Sequence, residues 1–128
     1  MNPDRYLQLA RSTAALSKLT DWSIGAVLVK GGKVLSTGYN RYSAQAEWLA
    51  TCYGLDLYSL HAEMDAITQA PPGSLQGATL FVSGFKSKNG NPISCRPCKK
   101  CWRIIEHVGI AWVYWATKNG YSCWRSSQ

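Results

Sequence analysis

The chain has 128 residues, 46% hydrophobic and 16% charged, a length suited to one buried core and a composition outside the disordered range. No stretch approaches the roughly 20 consecutive apolar residues of a membrane helix, and the N-terminal MNPDRYLQLARS carries Asp4 without the apolar run of a secretory signal, so a single cytoplasmic domain over residues 1–128 with no membrane attachment is expected. Fourteen Lys and Arg against seven Asp and Glu leave a net charge of +7, which points to a phosphate-bearing ligand or nucleic acid without choosing between them.

A first helix is predicted from about Pro3 to Lys18: Asn2 can cap it, Pro3 suits the first turn, and Tyr6, Leu9, Ala10 and Leu16 recur at helical spacing. The apolar run Ile24–Val29, the turn residues Gly31 and Gly32, and Val34–Tyr39 then form a hairpin. From Asn40 to Tyr58 the chain is irregular and aromatic, with Tyr42, Trp48, Tyr53 and Tyr58 as lid residues over a substrate. A second helix from near Ser59 to Ala70 should bury Met64, Ala66 and Ile67 and stop at Pro71, Pro72 and Gly73. Ala78–Ser83 read as a buried strand and Lys86–Asn91 as a surface loop. A third helix follows from Pro97 to about His107, then a strand from Ile110 to Trp115, and Asn119–Gly120 turn into a short strand around Tyr121–Trp124. Strands alternating with helices need a sheet covered on both faces, so the expected fold is a three-layer α/β/α sandwich with a mixed sheet of about five strands. The crossover through the third helix should make its flanking strands parallel.

Five cysteines cannot all pair with one another, and Cys95, Cys98 and Cys101 crowd together, a pattern of metal or redox chemistry in a reducing compartment. Two short motifs stand at helix starts: His61-Ala62-Glu63 and Pro97-Cys98-Lys99-Lys100-Cys101. Cysteines three apart in a first helical turn point to one side, and the helix N-terminus favours their thiolates. With the imidazole of His61 they make three ligands and leave one open position, the arrangement of a catalytic zinc. Glu63, beside the metal without ligating it, can then take a proton from water and deliver it to a leaving group. Cys98 and Cys101 as a redox pair, or Cys95 as a fourth ligand closing a structural site, are the rival readings. Cys52 and Cys123, without partner spacing, are expected as small apolar fillers. Lys99 and Lys100 oppose the helix dipole and imply a nearby anion, either the thiolates or a substrate phosphate.

H-x-E followed by P-C-x-x-C is the signature of zinc-dependent nucleobase deaminases, and the likeness extends further. Across residues 22 to 115, the segments IGAVLVKGGKVLSTGYN, HAEMDAI, GATLFV, RPCKKC and HVGIAWVYW resemble, in order and spacing, the cytidine and deoxycytidylate deaminase superfamily, the deoxycytidylate type most of all. That resemblance implies a cytidine deaminase-like fold, zinc on His61, Cys98 and Cys101, and Glu63 as catalytic proton shuttle. It further implies that Asn40 contacts the sugar or base, that the Ala62 amide meets the base carbonyl, and that Ala26 and Arg96 belong to the substrate site. Arg96 stands where nucleoside deaminases carry serine and tRNA adenosine deaminases glutamate, and Asp65 where asparagine is more usual. The function implied is hydrolytic deamination of cytosine to uracil in a free nucleotide, deoxycytidylate foremost, possible homo-oligomerisation included. The alternatives are deamination of cytosine in single-stranded DNA or RNA, and a zinc module that binds nucleic acid without catalysis.

Overall fold

The computed structural model describes residues 2–41, 52 and 60–127. Helix α1, Pro3–Ala14, starts on the Asn2 cap, whose side-chain oxygen accepts from the Asp4 amide at 3.1 Å. It ends four residues before the expected Lys18. Leu16 and Ser17 continue only as tight turns, Ser17 then donates its hydroxyl to the Asn40 carbonyl at 2.8 Å, and the chain is drawn off toward the sheet. The buried stripe is accordingly Tyr6, Leu7, Ala10, Thr13 and Ala14, while Leu9 and Leu16 are exposed, contrary to the expected pattern.

Strands β1, Trp22–Lys30, and β2, Lys33–Tyr39, form the hairpin through Gly31 and Gly32, both at positive φ. Helix α2 runs Ala62–Gln69, strand β3 Thr79–Lys86, helix α3 Lys99–His107, and strands β4 Trp112–Ala116 and β5 Tyr121–Arg125 close the chain order. The five strands lie in the order β2-β1-β3-β4-β5, with β3 and β4 parallel across α3 and the other neighbours antiparallel. The mixed sheet and its parallel pair are those the alternation of elements implies.

Side-chain alternation along the central strands divides the core. Val27, Val29 and Phe81 meet Tyr6, Leu7 and Ala10 of α1, whereas Ala26, Leu28, Leu80 and Val82 face a larger cluster with Met64 and Ala66 of α2 and Cys101, Ile104 and Ile105 of α3. Two glycines let the helices lie close to the strands. A Cβ on Gly25 would strike the α1 backbone at Ala10 and Ala14, and one on Gly38 would strike the α2 backbone at Ala62 and Ala66. Gly38 therefore sets the height of α2 over the sheet, and with it the position of the residue that opens that helix. Trp102 and Trp115 are half-buried against the larger cluster and packed edge to face at 5.9 Å, and Trp112 is half-buried on the α1 side. Cys52 and Cys123, expected as apolar fillers, are exposed, because Cys123 lies on the outermost strand. Among the described residues no helix is long and apolar enough to cross a membrane. The lid residues Tyr42, Trp48, Tyr53 and Tyr58 lie outside the described residues.

Candidate metal centre and active-site cleft

Both helix starts fall two or three residues later than the sequence pattern implies, at Ala62 and not Ser59 and at Lys99 and not Pro97, and the delay creates the site. His61 is the N-cap of α2 and Cys98 the N-cap of α3, each in extended conformation with no capping hydrogen bond from its side chain. An extended residue at a helix tip aims its side chain away from the helix body, so imidazole and thiol are free to meet. Cys101, in the first turn of α3, is fully buried and points the same way. The Nδ1 of His61 lies 3.2 Å from Cys101 Sγ and 3.8 Å from Cys98 Sγ, and the three donor atoms all lie within 4.8 Å of one another.

Those separations match a zinc ion. Bonds of about 2.0–2.1 Å to nitrogen and about 2.3 Å to sulfur, arranged tetrahedrally, require donor atoms roughly 3.5 Å apart. The donor set, one imidazole and two thiols, is also the set zinc prefers. Of the two sulfurs, Cys98 is the ionised one. A hydrogen bond from the Cys101 thiol, with a further one from His61, holds it down to about 3. Donating that bond, together with burial, pushes the Cys101 thiol well above its ordinary value, so the two are not equal thiolates as their shared place at a helix tip implies. Metal binding would displace the Cys101 proton. His61 is raised by its bond to Cys98, with Lys100 acting against that charge.

Cys95 does not join the trio, which among the described residues consists of His61, Cys98 and Cys101. Its thiol is buried, directed at the Ile93 carbonyl 3.6 Å away, and burial pushes it up to about 12, the state of a filler and not of a ligand.

Glu63 completes the centre. In the first turn of α2, it is 6% exposed, and burial raises its carboxyl above the usual range, partly offset by the charge of His61 and a hydrogen bond with Cys101. A cleft of about 410 Å³ reaches this floor and is lined by Asn40, His61, Ala62, Glu63, Cys95 and Arg96, together with Leu19–Trp22, Ile24, Ile93 and Ser94. Of the substrate contacts the resemblance implies, Asn40, Ala62 and Arg96 line this cleft and Ala26 does not: its side chain is fully buried between the sheet and α2. Asn40 is occupied as well as exposed to the cleft. Its side chain accepts from the Ile24 amide at 2.9 Å and donates to the Trp22 carbonyl at 2.7 Å, tying the end of β2 to the start of β1.

A second polar cluster supports the first. Arg41 and Leu60 exchange two backbone hydrogen bonds of 3.1 and 2.8 Å, placing the residue after Asn40 beside the residue before His61. The Arg41 guanidinium pairs with the fully buried carboxylate of Asp65 at 2.7 Å, and that carboxylate also accepts from the Tyr39 amide and the Gln69 side chain. Nothing in sequence spacing marks Arg41 for this role. The visible signal is Asp65 itself, an acid on the face of α2 that carries Met64 and Ala66 into the core, which requires a partner.

The description "cytidine and deoxycytidylate deaminase zinc-binding region" belongs to the family model that matches residues 1–117. The deoxycytidylate deaminase of Mycobacterium phage D29 is 31% identical over 121 residues, covering 82% of this chain and 86% of that protein. An uncharacterized deaminase of Aliivibrio fischeri is 31% identical over 116 residues, 86% of this chain and 69% of the relative. Among solved structures, the apo dCMP deaminase of cyanophage S-TIM5 has a TM-score of 0.67 at 24% identity, over 90% of this chain and 82% of that one, a likeness of fold.

Proposed function

The chain belongs to the cytidine and deoxycytidylate deaminase family, and from that membership we propose that it is a hydrolase that replaces the 4-amino group of cytosine by oxygen in a free nucleotide, deoxycytidylate foremost. The observation that carries the reading is a buried carboxyl, Glu63, beside a His-Cys-Cys trio on the floor of a cleft large enough for a small ligand.

His61, Cys98 and Cys101 would hold zinc, which when bound supplies a water activated for attack near neutral pH. The remaining work falls to the chain's own groups. Glu63 accepts a proton from the attacking water and passes it to the ring nitrogen N3; it then takes the proton of the new C4 hydroxyl and delivers it to the 4-amino group, so that the C4–N bond breaks, ammonia leaves and the C4 carbonyl forms. Its burial suits both duties, because a carboxyl raised toward neutrality gives up and takes back a proton with less difference between the two states. The first amides of α2, with no side-chain hydrogen bond capping them, are donors at the helix tip, and in this reading that of Ala62 takes the base carbonyl. Asn40 offers its second amide hydrogen to the substrate while its other bonds keep the cleft wall in place.

Ammonia and uracil measured on a panel running from cytidine and deoxycytidine through CMP and dCMP to a cytosine-containing oligonucleotide test the reading. Turnover highest on dCMP is expected. Product from the oligonucleotide alone would transfer the chemistry to nucleic acid, and a zinc-loaded protein yielding product from none of them would overturn the proposal.

A further inference from the structure

Arg96 lies in an unusual setting. Its neighbours Cys95 and Pro97 are buried, the Cys95 amide is fixed to the Ala116 carbonyl at 2.9 Å, and Cys98 belongs to the metal trio. The backbone on either side is thus held, while the Arg96 side chain is exposed and lines the same cleft as Glu63. Its guanidinium carbon stands over the Trp115 ring, 5.8 Å from the centroid. A cation–π contact of this kind takes up none of the guanidinium's N–H donors with an oxygen acceptor and leaves its forked edge available for hydrogen bonding.

Among the described residues no carboxylate lies within ion-pair distance of that edge, although Asp21 and Glu63 line the same cleft. An arginine beside a ring at the wall of a cleft, two residues from a metal ligand and with no acid among the described residues to neutralise it, matches an oxyanion that presents two oxygens side by side. The buried carboxyl at the floor handles the reacting base, so an anion on Arg96 belongs to another part of the same substrate.

We propose that Arg96 takes the phosphate of the nucleotide in a bidentate grip and thereby sets the preference for nucleotide over nucleoside; this rests on the deaminase reading above. The phosphate meant is the monoester of a free nucleotide. A phosphodiester offers the same oxygens, and the oligonucleotide arm of the test separates the two.

The test compares wild type with Arg96→Gln and Arg96→Lys in two ways. One is the ratio of kcat/KM for dCMP over deoxycytidine, and the other is direct binding of dUMP against deoxyuridine to the zinc-loaded protein. Arg96→Gln should lower the ratio roughly 10- to 100-fold, chiefly through KM for dCMP, as loss of a charge-assisted pair predicts. Arg96→Lys should recover part of it as a point charge. An unchanged ratio in a folded Gln variant, or equal losses on both substrates, overturns the proposal, and so does an Arg96-dependent preference for a cytosine oligonucleotide over dCMP. Should Arg96→Gln fail to fold, Arg96→Lys decides: a reduced ratio supports the grip and a ratio equal to wild type contradicts it. If wild type turned over no cytosine substrate the functional reading would fail, but tighter binding of dUMP than deoxyuridine, lost in Arg96→Gln, would still support a phosphate site.

Discussion

The two faces of the sheet have been put to different uses. Under α1, Tyr6, Leu7 and Ala10 close on Val27, Val29 and Phe81, with Tyr6 and Phe81 rings 5.0 Å apart, and the helix is seated by contact with Gly25. The opposite face packs an apolar cluster in its middle, but its helices bring their N-termini together, and there the half-buried imidazole of His61 and the exposed thiol of Cys98 meet the buried thiol of Cys101 and the buried carboxyls of Glu63 and Asp65. Apolar burial stabilises in proportion to area and needs no partner. A buried acid or thiol is costly unless it is paired or titrated, and it is kept at that cost where its chemistry is required. One face is therefore a foundation, and the other bears the strain of function.

The sharpest break between the faces is expected on removal of the metal. A chelator, or His61→Ala, should abolish turnover and lower the melting temperature together, since metal and fold share the helix tips; equal melting with and without chelator would contradict this. Glu63→Gln should cut kcat by about 10²–10⁴ while zinc content stays at wild type, and metal analysis beside kinetics checks both halves. On the other face the ordering inverts: Phe81→Ala should cost about 3–5 kcal/mol of unfolding free energy and leave the zinc stoichiometry of the folded fraction unchanged. Asp65→Asn, which keeps the shape of the clamp but removes the charge facing Arg41, should cost about 1–3 kcal/mol, read from denaturant midpoints. Smallest of all, Cys123→Ser on the exposed edge strand should shift stability by less than about 0.5 kcal/mol.

The difference between the faces also explains what could be read in advance. The periods of hydrophobicity give every helix and strand described, and the His61–Glu63 and Cys98–Cys101 spacings give the trio and its acid, because metal chemistry permits few residue types at few separations. Helix boundaries were less legible. Leu16 continues the apolar spacing of α1 yet is 59% exposed, since the turn that returns the chain to Trp22 begins before it. Pro97 favours a helix start, but Cys98 stays extended and reaches His61. The Arg41–Asp65 clamp joins residues 24 apart through a sheet-to-helix contact that no local pattern encodes. Ala26, which the resemblance puts in the substrate site, carries its side chain into the core.

The most direct test of the account is the ligand shell of the bound zinc, measured by X-ray absorption on the loaded protein. Two sulfurs at about 2.3 Å and two lighter nitrogen or oxygen ligands at about 2.0–2.1 Å are predicted, one of the latter exchangeable. A third sulfur, supplied by Cys95, would make the centre structural and contradict the account.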